Sequence, residues 1–169
     1  MNDLIHIIYN SVATSHDVED DLRDILAVSR RKNPAAQITG MLLYADGSFF
    51  QVLEGPEHAV DAAADMIARD PRHARMSVII REPIARRAFG EWTMGFAVLT
   101  TDELREMDGV NDLFQAGTSF DAIDSGRAKK LLRAFEQGRW RVRLTPHMPP
   151  VGALRMHQGS AALSSGTSR

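Results

Sequence analysis

The sequence predicts an α+β fold: elements in the order βαββαββ, with two helices on one face of a mixed sheet and further helices after it. Three observations predict it. Short runs rich in β-branched and aromatic residues recur with period two. Two stretches between them repeat apolar residues at helical spacing. The breakers Pro34, Asp46-Gly47, Gly55-Pro56 and Asp70-Pro71 fall between these runs. The order is close to a ferredoxin-like arrangement.

Leu4 to Tyr9 reads as the first strand. Thr14 to Asp17 offers a hydroxyl followed three residues later by a carboxylate, the chemistry of a helix start. Val18, Leu22, Ile25, Leu26, Ser29 and Asn33 then share one helical stripe, which Pro34 ends. Ile38 to Ala45 is the second strand, Asp46-Gly47 a hairpin turn, and Phe49 to Leu53 the third strand. Val60, Ala63, Ala64 and Ile67 mark a second amphipathic helix. Met76 to Ile80 and Trp92 to Leu99 read as strands four and five. Past Thr100, short helices are expected at Asp102–Met107 and Val110–Phe114, and a stronger one at Ser125–Gly138 with Ala128, Leu131, Leu132 and Phe135 on its stripe. The expected division is therefore 1–100 for the α+β unit, 101–142 for a helical extension and 143–169 for a flexible tail rich in Pro, Gly and Ser.

Alternation assigns faces. Ile5, Ile7 and Tyr9 share one, as do Phe49, Gln51 and Leu53, and as do Trp92, Met94 and Phe96. Should these faces coincide, Tyr9, Gln51, Trp92 and Met94 converge. The opposite face carries Leu4, Ile8, Phe50 and Val52 and is also apolar, so it needs a cover of its own. That cover is either the region after Thr100 or a second copy, which suggests a homodimer.

Composition excludes several classes. With a formal charge of -2, nothing general favours nucleic acid. There is no cysteine, hence no disulfide, cysteine nucleophile or thiolate metal site. The opening MNDLIHIIYNS has no basic n-region, and no stretch approaches the roughly 20 apolar residues a membrane span needs. A cytoplasmic protein without membrane contact is the default. GxxxxGK[ST], GxGxxG, HExxH and GxSxG are all missing, and the six histidines show no metal spacing. No catalytic residue and no metal ligand is indicated.

Gln51 remains to be explained. A primary amide between Phe50 and Val52 needs hydrogen-bond partners wherever it is buried. Each candidate also has a structural reading: Gln51 as a rim amide, Tyr9, Trp92 and Met94 as core, Asn33 as a helix C-cap, and Arg72-His73 as a surface turn.

Four segments decide between these readings: LIHIIYNS, SRRKNPAAQITGMLLYADGSFFQVLEGP, RDPRHARM and EPIARRAFGEWTMGF. Together they resemble the BLUF family, the blue-light sensors that use flavin, with ITGxLLY, FxQxLEG, DxRH and RxFxxWxM in the family's order from about Leu4 to Leu99. The resemblance implies a photoreceptor rather than an enzyme, in a short stand-alone form that signals to a protein partner. It implies FAD as cofactor, with FMN possible. It implies a flavin ring between the two helices, sandwiched by Ile25 and Ile67, and contacts from Tyr9, Ser29, Lys32, Asn33, Gln51, Leu53, Asp70, Arg72 and His73. Tyr9 matches the photoactive tyrosine, Gln51 the switching glutamine, and Trp92 and Met94 the pair that competes for the space beside it. Arg72 and His73 match a turn near the ribityl and phosphate end, where a cation can pair with phosphate. Lys32 departs from the family, where Asn or His is common; Arg30 and Arg31 add positive charge beside it. By the same resemblance, light drives an electron and a proton from Tyr9, and Gln51 reorients or tautomerises. The flavin C4 carbonyl then gains a stronger hydrogen bond, and the change passes along the fifth strand to the C-terminal helices. A flavin-dependent reductase and a cofactor-free ferredoxin-like interaction module are the competing readings. A phosphodiesterase for cyclic dinucleotides or a transcriptional regulator is the implied kind of partner, of unknown identity.

Overall fold

The computed structural model describes residues 3–15, 18–107, 120 and 123–137. Strand β1 (Leu4–Ala13) leads to helix α1 (Val18–Lys32), then to strands β2 (Thr39–Ala45) and β3 (Ser48–Pro56). Helix α2 (Glu57–Ala68), strands β4 (His73–Pro83) and β5 (Gly95–Val98), and helices α3 (Thr101–Arg105) and α4 (Ser125–Glu136) follow. The sheet order is β4-β1-β3-β2-β5, antiparallel except for the β2–β5 pair, so the expected ferredoxin-like mixed sheet is present.

Local chemistry explains most element ends. Helix α1 places Glu19, Asp20 and Asp21 in its first turn and Arg30, Arg31 and Lys32 in its last, which complements its dipole at both ends. The β2–β3 hairpin turns on Asp46 (φ 44°) and Gly47 (φ 79°), two left-handed residues in succession, as a type I′ turn requires. Gly40 lets β2 approach β3: a Cβ there would stand 2.0 Å from the Val52 carbonyl oxygen. Thr14 does not start α1, which begins four residues later. Its hydroxyl instead donates to Pro71 O at 2.7 Å and its N–H to Arg72 O at 3.2 Å, joining the end of β1 to the turn after α2. His16 and Asp17 lie outside the described residues.

The fifth strand is shorter than the alternation suggests. It covers Gly95–Val98, while Trp92 and Met94 sit in the turn before it. Trp92 N–H donates to Phe89 O at 2.9 Å, which bends the chain, and period-two reasoning fails wherever the backbone is not extended.

Two cores result, one on each face. Helices α1 and α2 cover Ile5, Ile7, Leu42, Phe49 and Leu53. The other face, with Ile8, Met41, Leu43, Phe50 and Val52, packs against Leu104, Met107, Phe120, Ile123, Ala128, Leu131 and Leu132. The Phe120 ring lies 5.5 Å from Phe50, and Asn10 Nδ2 donates to Phe120 O at 2.6 Å. Each wholly buried Leu, Ile or Phe contributes about 1.5–3 kcal/mol, so this cover is a substantial part of the fold. The chain's own later residues thus shield the second apolar face, and that face no longer calls for a second copy. The expected helix at Val110–Phe114 and the expected tail at 143–169 lie outside the described residues.

Candidate functional site

A cavity of about 350 Å³ lies between α1, α2 and the sheet, within the size range of small-molecule sites. Its walls follow from helix composition. On α1, Ile25, Val28, Ser29 and Lys32 face it; on α2, Ala59, Ala62, Ala63, Met66 and Ile67 do. The alanines recur at the i, i+3, i+4 spacing of one helical stripe, so one side of α2 lacks bulk and space stays open beside it. The floor is the sheet, through Tyr9, Ser11, Leu42, Phe49 and Gln51.

Strand register assembles the central group. Tyr9 stands opposite Gln51, Gln51 opposite Leu42, and Leu42 opposite Phe96, one row across four strands. Tyr9 and Gln51 are each 3% exposed. The Tyr9 hydroxyl donates to Gln51 Oε1, and Gln51 Nε2 donates to Met94 Sδ at 3.3 Å. Both ends of the amide are therefore engaged, one by a good donor and one by the weak thioether acceptor. Burial pushes the Tyr9 phenol well above its ordinary pKa, with the nearby Asp70 charge adding to it. The phenol is therefore neutral and holds its proton against Gln51.

Asn33 closes one end. It sits just past α1, and its side chain donates to Thr93 O at 2.6 Å rather than capping its own helix. Arg30 Nε donates to Met94 O at 3.2 Å, so α1 holds the turn before β5 at two successive carbonyls. Lys32 is exposed on the rim beside Asn33.

The other end carries Asp70, Arg72 and His73. Arg72 Nε reaches Asp70 at 2.9 and 3.1 Å, and Arg72 N–H reaches the same carboxylate at 3.0 Å. This pairing holds Asp70 below the usual carboxylate range; the same bond, with the fields of Asp21 and Asp24, raises the Arg72 guanidinium. Arg72 is thus already paired with Asp70 while still lining the cavity. Burial lowers the His73 imidazole, leaving it neutral at pH 7, and its ring meets Phe49 edge-on at 6.2 Å.

Of the residues the sequence singles out, Tyr9, Ile25, Ser29, Lys32, Asn33, Gln51, Ile67, Asp70, Arg72 and His73 line the cavity. Met94 reaches it only through Gln51. Leu53 does not line it: one step along the Gln51 face, it is 2% exposed in the core under the helices. Trp92 does not join the group either. Its indole stacks on Phe89 with centroids 5.7 Å apart, packed against the core on the opposite face of the sheet. Sequence reasoning missed Ser11, Ile38 and Leu42, and the small face of α2, whose alanine spacing was legible.

Among the described residues no group of three potential metal ligands occurs, and no helix is long and apolar enough to cross a membrane. The polar inventory instead suits a flat heteroaromatic ligand. The cavity offers apolar walls, the amides of Asn33 and Gln51, and one lining residue, Ser11, whose buried hydroxyl oxygen has no hydrogen-bond partner. A buried unpaired polar atom costs about 1–3 kcal/mol, so a ligand able to donate or accept a hydrogen bond at Ser11 would relieve that cost. A flavin fits these requirements.

Comparison with known proteins agrees. The sequence model of the BLUF family, described as sensors of blue-light using FAD, matches residues 4–95. A photoactivated adenylate cyclase subunit beta from Euglena longa is 34% identical over 137 residues, 80% of this chain and 16% of that relative. The blue light- and temperature-regulated antirepressor BluF of Escherichia coli is 31% identical over 134 residues, 78% of this chain and 32% of that relative. The chain thus spans less than a third of either curated relative's length. Among solved structures, the dark state of BlrB, a BLUF protein, superposes with a TM-score of 0.66 at 31% identity, covering 81% of this chain and 98% of BlrB. The ground state of BlsA gives 0.69 at 27% identity, covering 79% and 87%.

Proposed function

The chain belongs to the BLUF family, blue-light sensors that use flavin, and from that premise we propose how its own residues do the sensing. The carrying observation is the buried relay Tyr9 O–H to Gln51 Oε1, Gln51 Nε2 to Met94 Sδ, on the cavity floor. The bound flavin, FAD in this reading, supplies blue-light absorption and an electron acceptor. Ile25 and Ile67 would flank it, Asn33 would hold its polar edge, and Ser29, Lys32, Asp70, Arg72 and His73 would bound its ends.

Tyr9 is the donor. Its phenol loses an electron and passes its proton toward Gln51 Oε1. That oxygen is an acceptor in the dark; holding a proton, or turned away with its amide, it is one no longer. Gln51 Nε2 then leaves the thioether, whose hold is weak. Returning the proton and electron to Tyr9 restores the first arrangement, so the cycle consumes nothing and breaks no substrate bond. A donor newly turned toward a bound flavin would give a small red shift.

Release of Met94 is felt in β5, two residues from Phe96, and β5 leads into α3. Residues 1–100 are read as the sensor and 101–142 as the relay, with a partner protein binding one state better than the other. The cyclase and antirepressor relatives support a regulated protein as the target. The chain's reading as cytoplasmic rests on its composition and the lack of a spanning helix among the described residues.

A light-minus-dark absorption spectrum tests this. Purified protein is expected to be yellow, with a blue-light-induced red shift that reverses in darkness. A folded chain that stays colourless after incubation with FAD and with FMN would instead make it an interaction module. Steady NADH consumption with bound flavin would make it a reductase.

A further inference from the structure

Resting on the photosensor reading, a second role falls to a residue that never touches the cavity. Glu54 lies three positions beyond Gln51 on β3, so strand alternation turns it to the opposite face of the sheet. It is 1% exposed. A carboxylate buried that deeply is tolerated only when its oxygens are well bonded. Here Oε1 accepts the Ala88 N–H at 2.9 Å, and Oε2 accepts the Phe89 N–H at 3.0 Å and the Thr39 hydroxyl at 3.3 Å. Arg87 binds the same place, donating to Glu54 O and Thr39 Oγ1 at 2.8 Å each and to Gln37 O at 2.6 Å.

Two successive main-chain N–H groups on one carboxylate fix both the position and the direction of the chain at Phe89. From there the path to Met94 is short and held throughout. Trp92 N–H bonds Phe89 O at 2.9 Å, and Gly40 N–H bonds Trp92 O at 3.1 Å. Thr93 O takes Asn33 Nδ2, and Met94 O takes Arg30 Nε. The last link is the Met94 thioether against Gln51. The turn carrying Met94 is thus tied to β3 twice, at its start through Glu54 and at its end through Gln51.

We propose that Glu54 is a positioning residue for the Gln51 switch: by clamping Ala88 and Phe89 it sets where the Met94 sulfur stands, and so how long the rearranged amide persists after light. A residue serving only as a brace would change stability and leave the switch alone.

Glu54→Gln separates the two. It keeps the size but turns an NH₂ toward one of the two main-chain donors, so one bond is lost. In the flavin-loaded full chain, dark recovery is expected to change at least about threefold, and the effect to vanish in a Met94→Ala background, because both act through one contact. In the flavin-free chain, the ¹³C-methyl resonance of Met94 is expected to move in Glu54→Gln and to stay fixed in Arg81→Ala, whose ion pairs to Glu57 and Asp61 are exposed. Recovery within about twofold of the unaltered chain, or effects that simply add in the double variant, overturns the proposal. If Glu54→Gln yields no soluble protein, Thr39→Val, which removes one hydroxyl from the same carboxylate, decides: an unmoved Met94 resonance there overturns it as well. A chain with no red shift at all refutes the photosensor reading, while the Met94 resonance still reports on Glu54.

Discussion

Replacing Tyr9 by phenylalanine removes one oxygen and tests the centre of the site on two independent scales. The ring keeps its packing, so the cost comes from Gln51 Oε1, which loses its donor while only 3% of its residue is exposed. A buried acceptor left unpaired costs about 1–3 kcal/mol. For a chain of this length each kcal/mol moves the melting temperature by about 2–4 °C, so the middle of that range predicts a drop of about 4–8 °C. Tyr44→Phe is the control. The part-buried Tyr44 hydroxyl accepts the Gly47 N–H at 3.2 Å, and its loss is expected to cost about 0.5–1.5 kcal/mol. Melting is measured by circular dichroism without flavin, and the light-minus-dark spectrum with it. Tyr9→Phe should bind flavin and show no red shift; Tyr44→Phe should show it in full. A Tyr9→Phe protein that melts with the unaltered chain and still shifts under blue light refutes both the buried bond and the donor role.

Three other outcomes follow from the same geometry. Because burial raises the Tyr9 phenol, the neutral form belongs to the fold; its stabilisation is present below the ordinary phenol pKa of about 10 and is lost as pH rises toward the raised value. Urea midpoints at pH 8 and pH 11 should therefore fall further for the unaltered chain than for Tyr9→Phe; an equal fall contradicts the assignment. Trp92→Phe, altering a ring stacked on Phe89 across the sheet, should leave the red shift intact, whereas Met94→Ala, which removes the thioether from Gln51, should change the dark-recovery rate; the reverse pattern would put the indole at the switch. Gly40→Ala drives a methyl into the Val52 carbonyl and should destabilise by about 1–3 kcal/mol or more, read as a lower urea midpoint with its slope unchanged.

How far the sequence was legible varied with the kind of signal. Strand and helix order and the hairpin at Asp46-Gly47 rest on local periodicity and turn chemistry, and the structure contains each of them. Alternation brought Tyr9 and Gln51 together only on the condition that their faces coincide, a condition the β1–β3 register meets. Trp92 was misplaced because alternation assumes an extended backbone, and a turn closed by Phe89 O intervenes. Leu53 shares a face with Gln51 but not its place along the strand, a distinction only the positions of the helices make. For Arg72 the sequence shows a charge without showing what it is paired with, here Asp70 two residues away. The space itself was hardest to foresee, since a cavity is written in what is missing: the short side chains of Ala59, Ala62 and Ala63 on α2.

The second core carries a lesson for anyone grafting this light sensor onto another protein. The matched family region stops at residue 95, the first residue of β5, which invites a cut at or soon after that strand. Such a cut would strip Leu104, Met107, Phe120, Leu131 and their neighbours from the sheet and leave Ile8, Met41, Leu43, Phe50 and Val52 wet. A bare slab of that kind invites aggregation. The smallest transplantable unit therefore runs through α4, and a fusion joint belongs beyond it.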